Sequence, residues 1–336
     1  MTAERYIDAH ARTQTNTQIL QRQQAQWVVQ NPPATALTQS ELDLLYSLPF
    51  ARAPHPCYVQ PIPAYEMIRH SVTIVRGCYG NCSFCAITRH QGPIITSRSI
   101  NSIVHEIKQI TALPNFKGTI SDLGGPTANM FATSCRRPNC RRHDCLYPKP
   151  CPNLVTNENV FLELLDQVTS IHGVRHVYVS SGLRMELLLS TPKLLARLLS
   201  RHTPGALKIA PEHTQPEILR LMHKHRPELL DFFLKTSRET AKRIGISLHF
   251  NPYFISSHPG CVLEDMNKLA STVKRLKLNV KQFQDFTPTP GTLSTAMYVS
   301  GLDRDNLQPI SVPRTMLERR AQRGLLESAQ QMPKKG

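Results

Sequence analysis

The chain has 336 residues, 40% of them apolar, enough to bury one large core or two medium ones. Its 40 Lys and Arg against 24 Asp and Glu give a formal net charge of +16, a field that attracts polyanions such as RNA or phosphorylated substrates. No run approaches the roughly 18 apolar residues of a membrane span, and the opening "MTAERYIDAHARTQTNTQ" has no apolar centre of the secretory kind, so the expectation is no membrane and a cytoplasmic location.

Residues 1–70 read as a helical and extended lead-in without a core of its own. "TQTNTQILQRQQAQWVVQNPP" is Gln-rich and predicts partial helix up to Pro32 and Pro33. "TQSELDLLYSLPF" predicts a short helix capped by Thr38 or Ser40, and the Pro-punctuated "ARAPHPCYVQPIP" predicts extended chain.

From residue 71 a strand–helix alternation sets in. "SVTIVRG" reads as a buried strand, and "SINSIVHEIKQI" places Ile100, Ile103, Val104, Ile107 and Ile110 at helical spacing. "GTISDLGG" and "ENVFLELLDQVTSI" form the second unit, separated by a Cys-rich insertion over 131–153. "VRHVYVSSG" with "PKLLARLLSRH", "ALKIAPEHT" with "ELLDFFLKTSRETAKRIG", "ISLHFNPYFISS" with "VLEDMNKLASTVKRLKL", and "VKQFQDFTPTPG" complete six units by residue 301. Residues 302–336 read as a tail. Such alternation predicts an α/β fold with a parallel sheet, open or a partial barrel, two units short of a closed eight-stranded one, with a doubly wound sheet as the alternative. The six loops after the strands, from "RGCYGNCSFC" to "TPTPG", are where such folds bind ligands.

Nine cysteines in a reducing compartment point to metal rather than disulfides. Cys78, Cys82 and Cys85 stand on one short loop and leave a fourth position open. Structural zinc prefers four closed ligands, whereas a [4Fe–4S] cube on three thiolates keeps one iron free for a ligand. Gly77 and Gly80 allow the loop to wrap closely, and Phe84 is placed to lie against a planar ring. A second set, Cys135, Cys140, Cys145 and Cys151, suits an all-cysteine zinc site or a second [4Fe–4S] cluster; a loop of unligated thiols is the plain alternative. Arg136, Arg137, Arg141, Arg142 and Lys149 would offset its negative charge, and His143 would replace a cysteine if zinc binds. Cys57 and Cys261 read as lone thiols, and His223 and His225 as a solvated helix face.

The Cys-x3-Cys-x-aromatic-Cys pattern after the first strand resembles the signature of radical S-adenosylmethionine (radical SAM) enzymes. "NPPATALTQSELDLLYSLPFARAPHPCYVQPIPA", "RGCYGNCSFCAITRHQGP", "SDLGGPTANMF", "SSGLR", "LKIAPEHT", "YFISSHPG" and "FTPTPGTLSTAMYVSGLD" together resemble the YgiQ-type members, across nearly the whole chain. The resemblance implies a partial (β/α)6 barrel with the Cys-rich insertion. Its open iron would chelate the methionyl group of S-adenosylmethionine, and reductive cleavage would release a 5′-deoxyadenosyl radical to take hydrogen from an unknown substrate. It also implies a flavodoxin- or ferredoxin-type electron donor. Gly124 and Gly125 occupy the place of the family's Gly-rich cofactor segment, although Pro126 and Thr127 stand where an acidic residue is usual. Ser181, Arg184 and Glu212 are candidates for carboxylate or ribose contacts, with ordinary strand-end polarity as the other reading. Family members extend further on both sides, so the chain reads as shortened. Two alternatives stand beside this one: RNA modification of the methylthiotransferase type, motivated by the charge, and a zinc-stabilised binding protein without catalysis.

Overall fold

The computed structural model describes residues 1–13, 17–137, 140 and 144–330; Arg141, Arg142 and His143 lie outside them. Strands and helices alternate through the larger part of the chain, in a mixed α/β arrangement. Ser71–Thr73 pairs parallel with Asp122–Gly124, and Thr119–Ile120 pairs parallel with His176–Val177. Ala206–Glu212, His249–Ser256 and Gln282–Asp285 form a second parallel ladder in that order. Sequential parallel neighbours follow from the helical crossovers between them. Among the described residues the two groups of strands are not joined by a ladder, and no closed barrel forms. His202 bridges part of the gap. Its ring Nδ1 lies 2.7 Å from the Val177 carbonyl, and its own carbonyl accepts from Val179 N at 2.9 Å.

The core sits between strands and crossover helices because each contributes one apolar face. Ile103, Ile107 and Ile110 of the helix Ile100–Thr111 are buried, as are Phe161, Leu164, Leu165 and Val168 of Glu158–Thr169. Leu230, Phe233 and Leu234 of Glu228–Arg243, and Met266, Leu269 and Val273 of Leu263–Arg275, repeat the stripe. They pack on Val72, Ile120, Leu123, Val177, Leu207, Phe254 and Ile255 from the strands. The helix Met316–Gln330 joins this core through Leu326 and Ala329. Its Gln322 accepts from Ser257 N and donates to the Cys261 carbonyl, each at 2.9 Å.

In the lead-in, Thr2–Thr13 is helical, and Thr38 caps Gln39–Tyr46 in a capping box with Glu41. Where partial helix was expected ahead of Pro32 and Pro33, the described residues form a hairpin, Ile19–Gln23 antiparallel to Gln26–Gln30. The two-residue loop Gln24–Ala25 explains it: Gln24 takes φ +54°, the left-handed conformation such tight turns use, and Trp27, Val28 and Val29 favour strand. Among the described residues no helix is long and apolar enough to cross a membrane.

Candidate functional site

The loop after the first strand carries three thiols into a pocket of about 140 Å³ at the carboxyl ends of the first four strands. Two glycines shape that loop. Gly77 takes φ +86° with its α-carbon against the Ile94 carbonyl, where a Cβ would have no room. Gly80 lets the Arg184 guanidinium come so close that any side chain there would strike it. Cys78 is buried, and Cys82 and Cys85 are half-buried. Phe84 lines the pocket between the last two cysteines in sequence.

Arg184 Nη2 donates to Cys82 Sγ at 3.2 Å, and Arg184 Nη1 lies 3.8 Å from Glu186 Oε1. Burial works against the guanidinium's charge, but its interactions with Cys82, Glu186 and Cys78 outweigh that and raise its pKa. Burial alone would raise Glu186 as well; the cations beside it, Arg184 first, hold it below its ordinary value. Cys85 is pushed up to about 11, by burial first and then by the neighbouring Cys82 thiol. A second positive charge in such a pocket, a metal cluster for instance, would reverse that shift.

The far wall of the pocket includes Glu212 and Lys224. Lys224 Nζ donates to the Ala210 carbonyl at 2.9 Å and stands 3.9 Å from Glu212 Oε1. Glu212 closes its strand at φ +66°, and burial raises its pKa despite Lys224. Glu212 Oε2 and Asn81 Nδ2 are both buried and without a hydrogen-bond partner, and both residues line this pocket. An unsatisfied buried acceptor and donor in one pocket are costly unless a ligand pairs with them.

Of the residues singled out in the sequence, Cys78, Cys82, Cys85, Phe84, Arg184 and Glu212 line this pocket together. Gly124, Gly125 and Ser181 stand just behind its wall of Pro126, Thr127 and Gly182. Gly125 N donates to Ser181 Oγ at 3.4 Å. Ser181 Oγ bonds in turn to Asp122, whose Oδ1 accepts from Ser180 N at 2.7 Å and Ser181 N at 3.0 Å. The fifth and sixth loops do not line it. They support it instead, His258 Nε2 lying 2.7 Å from Ser294 Oγ, and Ser294 N donating to the Ser83 carbonyl at 2.8 Å.

Asn81, Asp122, Glu186 and Lys224 were not singled out in the sequence. Lys224 lies between His223 and His225, which are buried and not on a solvated helix face. That helix ends at Leu221, so helical spacing does not govern 223–225. His223 Nε2 lies 3.1 Å from both Asp144 carboxylate oxygens, and its ring stacks on Tyr147 at 3.9 Å. This contact ties the Cys-rich insertion to the pocket's far wall.

The insertion brings its four cysteines into one neighbourhood. Cys135 sits on a short strand, Ser134–Cys135, paired antiparallel with Leu154–Val155, and Cys151 N donates to the Cys145 carbonyl at 2.8 Å. Cys145 is pushed up to about 12, by burial first and then by Cys151, Cys135 and Cys140. Among the described residues no three His, Cys, Asp or Glu side chains converge as closely as ligands of a single ion do. A cube gives each thiolate its own iron and does not impose that convergence.

The family model described as "Radical SAM N-terminal" matches residues 1–71. A UPF0313 protein of Methanocella arvoryzae is 45% identical over 313 residues, covering 92% of this chain and 52% of that one. A UPF0313 protein of Geobacter sulfurreducens is 48% identical over 312 residues, with the same coverage of 92% and 52%. The chain therefore spans about half the length of these curated relatives. Among solved structures, coproporphyrinogen III oxidase of Escherichia coli, described as a radical SAM enzyme, aligns at TM-score 0.46 and 15% identity over 77% of this chain and 52% of its own.

Proposed function

Over the part of those relatives that it spans, this chain belongs to the UPF0313, YgiQ-type radical SAM proteins, and on that premise we propose that it binds a [4Fe–4S] cluster through Cys78, Cys82 and Cys85 and cleaves S-adenosylmethionine reductively. The whole core is then a partial (β/α)6 barrel whose first four loops form the reaction chamber. Bound together and given one electron by a reductant protein, cluster and cofactor would supply a reductive cleavage of the cofactor to methionine and a 5′-deoxyadenosyl radical.

The observation that carries this reading is the pairing of three thiols with two unsatisfied polar atoms in one pocket. Glu212 Oε2 is an acceptor suited to an ammonium or ribose hydroxyl, and Asn81 Nδ2 is a donor suited to a carboxylate. A zwitterionic amino-acid group with a sugar attached presents all of these. Arg184 holds a positive charge against Cys82, stabilising the thiolate state that metal binding requires. Asp122 fixes Ser181 and the "SSG" loop beside Gly124 and Gly125, so the backbone there approaches the cofactor in one conformation. Leu183 and Met185, both buried, give the pocket an apolar side against which a radical would be shielded from water. The substrate is a further molecule whose hydrogen faces this chamber, and the donor is a one-electron reductant protein of flavodoxin or ferredoxin type.

Electron paramagnetic resonance of the reduced, reconstituted protein tests the open iron directly. Adding S-adenosylmethionine should change the g-values of the cluster signal, because the cofactor becomes an iron ligand. A spectrum unaltered at saturating cofactor would contradict the assignment.

A further inference from the structure

We propose that Cys135, Cys140, Cys145 and Cys151 hold a second iron–sulfur cluster through which an acidic one-electron redox protein reduces the cluster at Cys78, Cys82 and Cys85. This rests on the reading of the first site given above and adds the route by which its electron arrives.

The inner site is poorly placed to meet a protein donor. Cys78 is buried, and the pocket beside Cys82 and Cys85 is the chamber the cofactor would fill. The second set faces outward. Cys135 is exposed, while Cys140, Cys145 and Cys151 are half-buried. Between the two sets lies one small apolar cluster of Cys78, Tyr79, Met130, Leu146 and Leu187, with Cys145 and Leu154 packed against it. A cysteine of each set thus touches the same apolar packing. Tyr79 spans it: the ring is buried beside Cys78, and its hydroxyl donates to Thr133 Oγ1 at 3.2 Å, next to the strand that carries Cys135.

Basic side chains flank Cys135 on the exposed part of the insertion. Arg136, Arg137 and Lys149 are exposed there. Flavodoxins and ferredoxins as a chemical class are acidic, and opposite charge steers docking and raises the association rate. The electron count closes simply. The donor loses one electron, the outer cluster gains it and then returns to its starting state, and the inner cluster ends reduced by one, with no bond made or broken. Asp144 and His223 brace the outer site against the wall of the inner one, fixing the separation of the two.

The test uses the whole chain, reconstituted anaerobically with iron and sulfide. Wild type should hold about eight irons, and Cys145→Ser/Cys151→Ser about four. Appearance of the reduced inner-cluster signal is then followed by freeze-quench spectroscopy, with reduced flavodoxin or with dithionite. Flavodoxin should reduce the inner cluster at least about tenfold more slowly in Arg136→Glu/Arg137→Glu and in the double-serine variant. Dithionite, which needs no docking, should reduce wild type and Arg136→Glu/Arg137→Glu alike. Reduction by flavodoxin at the wild-type rate in the folded Arg136→Glu/Arg137→Glu protein would overturn the proposal, as would zinc with only about four irons in wild type. A charge reversal that abolishes RNA binding and leaves flavodoxin reduction intact would give the patch to RNA and overturn it too. A wild-type protein whose dithionite-reduced signal ignores S-adenosylmethionine would instead remove the inner-site reading, and this proposal with it.

Discussion

Arg184 makes three contacts that decide how the site holds together: Cys82 Sγ, Glu186, and the bare α-carbon of Gly80. Removing the guanidinium takes away the first of the cations that hold the buried Glu186 carboxylate ionised, a loss of about 3 kcal/mol. Arg184→Met should therefore lower unfolding free energy by about 3 kcal/mol in a urea titration, while Arg184→Lys, which keeps the charge and loses the fork, should lose less than half of that. Equal losses in both would mean that charge is not what Arg184 supplies. Glu212 gives a pH signature. Burial raises its folded-state pKa above the unfolded value, so its contribution to stability is full at acidic pH and is lost as pH rises through the folded value. Glu212→Gln should accordingly raise Tm at pH 8 and leave it nearly unchanged at pH 4.5; a lower Tm at pH 8 would refute the assigned direction.

At the scale of elements, the crossover helices were legible because burial on one face leaves a 3.6-residue imprint. Ile103, Ile107 and Ile110, marked by spacing alone, are all fully buried. That Cys78, Cys82 and Cys85 share one pocket was legible because the three are neighbours in sequence. The hairpin at Ile19–Gln30 was not, since its glutamines carry no apolar period and its turn depends on one residue adopting positive φ. Lys224 and Glu212 meet only through the tertiary fold, and no local pattern announces an unsatisfied atom such as Asn81 Nδ2. The lead-in is tied to the core at specific points, Asp43 accepting from Ser99 N at 3.1 Å and Gln39 Nε2 donating to the Ser97 carbonyl at 3.1 Å. Thr38 starts the helix that makes these contacts. Thr38→Ala should cost about 1 kcal/mol through loss of the capping box, and a Thr38→Ser control should cost little. Equal costs in a denaturant titration would show that the hydroxyl does not cap.

For the molecule as a whole, three buried imidazoles set an acid limit. Burial, above all, pushes His213 and His258 down to about 3 and His225 down to about 4. The unfolded chain binds these protons near pH 6.5, so the stability is full above that value and is lost as pH falls toward the folded ones. Each should forfeit on the order of 2 kcal/mol by pH 5, and Tm should fall steadily from pH 7 to pH 5. A flat profile over that range would contradict the burial of neutral histidine. The chemistry itself is measured most directly as 5′-deoxyadenosine formed from S-adenosylmethionine by the anaerobically reconstituted, dithionite-reduced chain, beside Cys78→Ala, Cys82→Ala and Cys85→Ala. Product from wild type and none above background from any of the three is the expected result. Product at the wild-type rate from any alanine variant, or a wild-type protein with a full cluster that releases none, would contradict it.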